Sequence, residues 1–419
     1  MSQASLSSPF SIETASNNEM LLAYKNGTDV FSFIGSFRLV EYGDSIYSFN
    51  LYEQKKGVKL RKTIFYEDPK YYSMCLLVPP LLSFHLKEIF DKPNEVEPLN
   101  FWQYPCSTER QAFQNHRDIS VCNNIDSNKR IVNIYLALPW ATYIDKSRVP
   151  RTLFTKIKNI LGFYKYVVQT HEYDLKVHTV CQHIHWQKME SEVVDLGVTD
   201  FHLSHKLVSS AKALSEKSAS LKLHGWPLIA VNYVTPELSS GLKILPIRER
   251  RFLASFVGAY MPHYRDDSRL QLQRIVSASS DCKDVAIKVN DEWHFNKQVY
   301  EEQVQGQCVD PTDAKLQHDK TVSYNRILTE SKYSLCPEGA GPNTLRLWES
   351  IAIGCIPVIF SEDLSIFHES ELGKQLFELL EFHELTDDLF EKLREKVEQE
   401  HVSEMLIKIY KKFETMKCF

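Results

Sequence analysis

The segment Lys332 to Phe360, KYSLCPEGAGPNTLRLWESIAIGCIPVIF, constrains the chain more than any other, because it spells one complete β-loop-α-β unit. The apolar run Tyr333 to Cys336 breaks at Pro337, and Gly339, Gly341 and Pro342 lead to Asn343 and Thr344, residues suited to capping a helix. The pattern predicts a helix over about 344–353, a left-handed C-cap at Gly354, and a buried parallel strand over 356–360. A glycine loop that opens a helix gathers unpaired backbone N–H groups at one point, where the helix dipole also favours an anion. Arg346 in the first turn adds a charge-assisted contact suited to a diphosphate, and Glu349 on the same face can accept from sugar hydroxyls. The bland alternative is an exposed helical ion pair worth about a few tenths of a kcal/mol. The position of the pair directly after the glycine loop favours binding.

With 419 residues the chain is too long for one ordinary core and suits two α/β domains plus additions, hence a cleft. A formal net charge of -5 provides no basic field for nucleic acid, so polynucleotide partners are not expected. The nine cysteines are scattered without CxxC spacing, which fits reduced thiols better than disulfides or zinc. No apolar run approaches the roughly 20 residues of a membrane span, and no basic-then-apolar signal pattern opens the chain. These features predict a soluble, cytoplasmic protein without a span; peripheral attachment to a membrane stays open.

Along the chain, residues 1–20 read as a polar tail, and alternation over 30–37 and 45–52 predicts short antiparallel strands, together an accessory β-rich element over 1–66. The run Tyr71 to Ser83 is apolar, and 91–127 is polar and irregular enough to be loop. From Arg130 a βα rhythm begins: IVNIYLALPW, a helix over about 152–164, VHTVCQH, a helix near 188–196, then TDFHLSH. Strands alternating with helices predict a parallel, doubly wound sheet over 67–240, with Asp145, His183, His185 and His205 beyond the strand ends where ligands bind. A second sheet over 241–380 starts with RRFLASFVGAY, which ends near Gly258, and continues through a helix over 269–277, VAIKV, a helix near 324–330, and the unit described above. The Lys- and Glu-rich stretch 381–419 reads as helical and as packing back across both sheets.

RRFLASFVGA together with SYNRILTESKYSLCPEGAGPNTLRLWESIAIGCIPVIFSEDL, within about 251–364, resembles the exostosin-type glycosyltransferase family. TVCQHIHW and DFHLSH are more loosely similar to its bacterial or viral branch, and residues 1–130 match no family pattern. The resemblance implies a GT-B fold of two Rossmann-like domains facing across a cleft, a UDP-sugar donor held by the second, inversion at the anomeric carbon, and no obligatory metal or cofactor. It carries Gly341, Asn343, Thr344 and Arg346 to the diphosphate, Glu349 to the ribose, Gly258 to a close backbone approach, and Arg265 to a further phosphate contact. One position departs from the pattern: relatives often carry a basic residue between Pro337 and Gly339, and here it is Glu338.

Inverting transfer is a single displacement, so a base must take the proton of the acceptor hydroxyl opposite the leaving diphosphate. His183 ranks first, because imidazole titrates near working pH and this one follows a strand at the cleft. Asp145, His185 and His205 follow as acceptor-side candidates, each with a structural role as its alternative. His183 and His185 as metal ligands lack a third at a recognisable spacing. Asp266 and Asp267 precede a helix and read as caps rather than metal carboxylates, and Trp293 and Tyr260 read as core or rim. The expected function is transfer of a sugar to a hydroxyl of a growing saccharide or glycolipid, as in a surface glycan; the alternative is an inactive nucleotide-sugar-binding partner of an active enzyme.

Overall fold

A computed structural model describes residues 10–15, 19–26, 29–31, 35–42, 46–53 and 65–66 by their strands, then 99, 101–103, 105–117, 125–126, 128–170, 172–209, 221–234, 241–278, 282–308, 310–396 and 400–419. The apolar run expected over 71–83 lies outside the described residues. By its contacts the chain divides into two compact units, 1–85 with 120–132 and 155–175, and 86–119 with 133–154 and 176–419.

The first unit holds an antiparallel sheet. Its strands are β1 (Phe10–Ala15), β2 (Glu19–Asn26), β3 (Asp29–Phe31), β4 (Gly35–Tyr42), β5 (Ile46–Glu53) and β6 (Phe65–Tyr66), in the order β1-β2-β4-β5-β6 with β3 paired to β2. Residues 10–15, expected in a loose tail, form its first strand, pairing Phe10 to Ala15 with Tyr24 to Glu19. Phe-Ser-Ile-Glu alternates apolar and polar residues, a signal too short to stand out beside the Ser-rich flank.

The second unit carries the greater part of two α/β sheets; the first has one short antiparallel edge pair, Ile125 opposite Val132, and the second is parallel throughout. The first is built from β7 (Ile125–Asp126), β8 (Ile131–Tyr135), β9 (Asp174–Cys181), β10 (Asp200–Leu203) and β11 (Lys222–Gly225), in the order β11-β10-β9-β8-β7. The parallel register sets Asp200 beside His178 and His202 beside His224. Trp140, Tyr143, Phe154 and Phe201 pack edge to face beside this sheet, which buries their large apolar area at favourable ring geometry. The segment 91–127, expected as loop, contains the helix Thr108–Arg117. Its sequence is mostly polar, and it is fixed by four buried positions, Thr108, Glu109, Ala112 and His116, rather than by an apolar stripe.

The second sheet contains β12 (Phe252–Ala259), β13 (Val285–Asn290), β14 (Ser331–Leu335), β15 (Ile356–Ile359) and β16 (Glu381–Phe382) in the order β13-β12-β14-β15-β16. In chain order this is 2-1-3-4-5, so the topology reverses between β12 and β14, the place where doubly wound sheets open a ligand crevice. β16 lies in the stretch expected to be wholly helical; its two residues are too few to show a period. The helix expected near 324–330 starts much earlier, at Pro311, where Asp310 caps the backbone N–H of Thr312 and proline occupies the first turn.

The two sheets meet within this unit. Ser365 N–H donates to Lys206 O, and Leu207 pairs with Leu364 in an isolated bridge. Glu369 accepts from Lys206 Nζ, Gly225 N–H and Ser365 Oγ. The C-terminal helix Glu400–Glu414 sets Phe413 against Trp348 at 5.2 Å. Asn115 Nδ2 then donates to Glu414 O and Met416 O, and Cys418 N–H to His116 Nε2, so the chain end packs across both sheets. The carboxyl ends of strands from both sheets open on one cavity of about 970 Å³. The architecture is α/β, with two sheets opening on one cavity.

Candidate functional site

One half of this cavity is built at the switch point. The helix Leu345–Ala352 starts after Thr344, whose backbone is extended as an N-cap should be, although its hydroxyl makes no capping bond. The first N–H groups of a helix have no partner inside it and face the loop mouth. Arg346 is buried there, with Nη2 donating to Val257 O and the guanidinium stacked 4.7 Å from Phe256 and 4.9 Å from Tyr324. Glu349, one turn on, accepts from Asn232 Nδ2 at 2.6 Å and Tyr324 Oη at 2.5 Å, and burial raises its carboxyl above the usual range. Tyr324 therefore joins both residues: its ring supports the guanidinium while its hydroxyl orients the carboxylate. Gly258 explains itself by distance. A Cβ there would meet Phe256 Cζ at 2.9 Å and Arg346 Nη2 at 3.3 Å.

Gly341 keeps the glycine loop against the first sheet, since a Cβ there would fall 2.7 Å from His205 Nδ1. Asn343 does not offer its side chain to the cavity. Its Nδ2 donates to Ser204 O and its Oδ1 accepts from Trp348 Nε1, so it ties the loop to both sheets from a buried position. Arg265 is exposed, lies outside the cavity wall among the described residues, and pairs with Glu338, the residue at the departing position. The acid there neutralises that guanidinium instead of repelling a ligand. Arg269, which sequence reasoning passed over, lines the cavity, but its donors go to Glu338 O, Ala259 O and Pro337 O, and burial lowers it to about 10. It clamps the ends of β12 and β14 together. Asp266 accepts from Ser268 N–H at the start of the helix Ser268–Ala278, the capping role expected.

The opposite wall brings Asp145 and His183 together, with Asp145 supplied by the helix Trp140–Asp145 rather than by a strand end. His183 Nε2 lies 3.0 Å from Asp145 Oδ1, and His183 Nδ1 accepts from the N–H of His185 at 2.9 Å. This pattern assigns the proton to Nε2, so His183 donates to the carboxylate and has no free lone pair. Asp145 Oδ2 accepts from Gln103 Nε2, leaving further acceptor positions on both carboxylate oxygens. Burial alone would raise Asp145, but the hydrogen bonds from His183 and Gln103 outweigh it and hold the group below its ordinary value. The geometry thus argues against the sequence ranking that put His183 first as base. His205 lines the cavity, buried and lowered to about 3 by desolvation, whereas His185 is exposed and outside the wall among the described residues.

Glu109 gave no sequence signal beyond a lone acid in a polar stretch. It is buried and accepts from the N–H groups of Ala141 and Gln182, fixing the chain just before Asp145 and His183; burial raises its carboxyl to about 8. Among the described residues no cluster of three or more His, Cys, Asp or Glu side chains could hold a metal ion, every cysteine is free, and no helix is long and apolar enough to cross a membrane.

Comparison with solved structures finds the GtfA/B complex at 10% identity and a TM-score of 0.35, covering 99% of this chain and 80% of that one. It also finds the pneumococcal O-GlcNAc transferase GtfA in complex with UDP and GlcNAc at 9% identity and a TM-score of 0.35, covering 98% and 79%. No curated protein matches by sequence. Residues 179–372, which run from the end of β9 into the start of the helix Glu371–Phe377 and include His183, Arg346 and Glu349, match the model of the Exostosin GT47 domain, and over that stretch the chain is similar to exostosin-type glycosyltransferases.

Proposed function

We propose that the chain is an inverting glycosyltransferase that moves a sugar from a UDP-sugar to a hydroxyl of a saccharide. One observation carries the reading: a buried guanidinium at the start of the helix Leu345–Ala352 lines the same cavity as the Asp145–His183 pair. Breaking the glycosidic bond gathers negative charge on the departing diphosphate, and the Nε and Nη1 groups of Arg346, with the first helix N–H groups, are preorganised to receive it. In this reading no metal is needed. Glu349, oriented by Asn232 and Tyr324, keeps lone pairs for the ribose hydroxyls.

Asp145 is the better base in this scheme, and His183 positions it and supports its charge. A carboxylate held low is a weak base, yet an acceptor hydroxyl becomes acidic as its bond to the anomeric carbon forms, so the proton passes late to a nearby oxygen. The test is UDP release with a panel of UDP-sugars and saccharide acceptors. Asp145→Asn should lower turnover by roughly 10²–10⁴-fold while calorimetry shows unchanged UDP affinity. Unchanged turnover in that variant would return the base role to another group, and absence of UDP binding in the parent would remove the glycosyltransferase reading.

A further inference from the structure

We infer that Trp293 and Tyr300 form a stacking platform for the acceptor, which is a saccharide with an exposed C–H face. This rests on the glycosyltransferase reading for the word acceptor, but the platform itself stands on geometry. Trp293 follows the end of β13, and Tyr300 lies in the π-helix Lys297–Val304; their rings are 5.9 Å apart, and both line the cavity. A π-helix is a rare arrangement that tends to occur at functional sites. Tyr300 is 44% exposed, one of the few large apolar side chains so placed among the described residues. A ring left in water at a cavity wall costs burial energy that a ligand recovers.

The segment is held rigidly enough to present those rings. Phe295 is buried beneath Trp293 at 5.8 Å, Val299 is buried, His294 Nε2 bonds Thr321 Oγ1 at 2.7 Å, and Gln317 Nε2 donates to His294 O. Its far end is tied to the opposite wall, where Lys146 Nζ donates to Val304 O. Lys146 directly follows Asp145, so one backbone turn fixes both the proposed base and the end of the helix that carries Tyr300. Burial first, then the Asp145 charge, pushes the Tyr300 phenol up, which agrees with the ring lying near that carboxylate.

The chemistry selects the occupant. An aromatic face carries partial negative charge, and the C–H face of a pyranose presents partial positive charge and apolar area, so the two stack. Asp291 and Glu292 beside Trp293 are exposed acceptors for hydroxyl groups. The diphosphate belongs at Arg346, on the wall formed by the glycine loop.

The experiment uses the full chain and two readouts. Saturation-transfer NMR with methyl β-glucoside, methyl β-galactoside, methyl β-xyloside and methyl β-N-acetylglucosaminide, without UDP, tests the platform directly, while calorimetry with UDP tests the donor half. Trp293→Ala and Tyr300→Ala should each weaken saccharide binding by roughly 5- to 10-fold, Tyr300→Phe should keep it, and UDP affinity should stay the same in all three. Binding of none of the glycosides by the parent, or unchanged glycoside binding in both alanine variants, overturns the platform. Loss of UDP affinity in the alanine variants also overturns it and assigns the rings to the nucleotide base. Glycoside binding by a parent that binds no UDP would uphold the platform while removing the glycosyltransferase reading.

Discussion

Replacing Arg346 with alanine separates two jobs that the side chain does at once. Inside the fold, Nη2 bonds Val257 O, and the guanidinium lies between Phe256 and Tyr324. A hydrogen bond from a charged group is worth about 1.5–3 kcal/mol and a partly desolvated cation–π contact about 0.5–2 kcal/mol, so thermal unfolding should show a real loss of stability. Toward the ligand, one charge-assisted contact to a phosphate is again worth about 1.5–3 kcal/mol, which at about 1.4 kcal/mol per decade predicts roughly 10- to 150-fold weaker UDP binding. Arg346→Lys keeps a charge but loses the planar fork and the stack, so it should fall between the parent and alanine. The assay is calorimetric titration of UDP at fixed ionic strength, run on protein whose folding has been checked by its melting transition. Folded Arg346→Ala protein with parental UDP affinity would refute the reasoning, because Lys288 and Lys320, which also line the cavity, would then be the phosphate partners.

Gly258→Ala should push Arg346 and Phe256 apart and weaken UDP binding by about tenfold or more while the fold survives; parental affinity would show that the crowding relaxes harmlessly. Asn343→Ala strips a buried acceptor from Trp348 and a donor from Ser204 O, so chemical denaturation should report a loss of roughly 2–4 kcal/mol. His116 and His178 are each lowered from 6.5 to about 4, mainly by burial, with Lys417, Lys176, His224 and Asp200 as their charged neighbours. Between those values the unfolded chain binds the protons more readily, so each contributes stability that is complete above pH 6.5 and falls by up to about 1.4 kcal/mol per pH unit on acidification to pH 4. The Glu109 carboxyl, raised to about 8, runs the opposite way from pH 4.5 upward and offsets one of the two, so a net loss should appear between denaturation curves at pH 6.5 and pH 5; equal curves would contradict it.

The glycine loop and the helix that follows it were readable because their signals are local. Glycine, proline and capping residues fix the loop and the helix Leu345–Ala352 within one continuous stretch, and Gly354 adopts the positive φ of 65° its position called for. What sequence could not show is which donors remain unspent. Asn343 has the right chemistry for a phosphate, yet its partners Ser204 and Trp348 come from opposite sides of the loop, one of them 139 residues away. The geometry likewise argues against His183 as base through two contacts, the N–H of His185 close by and Asp145 from the end of the helix Trp140–Asp145. Trp293 was read as core or rim because it is a lone aromatic near a strand end; only the π-helix that follows it sets Tyr300 beside it. Glu109 sits in a polar stretch that looks like loop, and its meaning depends wholly on Ala141 and Gln182 arriving from two other elements.

The same accounting decides where positive charge is available in the donor half. Counting arginines would place four around it, but a guanidinium offers five donors, and what matters is how many are already committed. Arg250 gives its donors to Leu245 O, Ser331 O, Gly354 O and Ile353 O, bracing the C-terminal end of the glycine-loop helix from beneath. Arg269 spends its own on three carbonyls of the loops beside β12 and β14, and Arg265 is matched by Glu338 on the exposed rim. Arg346 is committed through Nη2 alone among the described residues, and the two rings that hold it leave the other edge of the plane free. The glycine at 258 is what lets that plane lie flat against β12. The fold thus spends Arg269 and Arg265 on the glycine loop and its neighbours and Arg250 on the far end of the helix, and Arg346 keeps donors toward the cavity, where in the proposed reaction they would meet the charge of a leaving diphosphate.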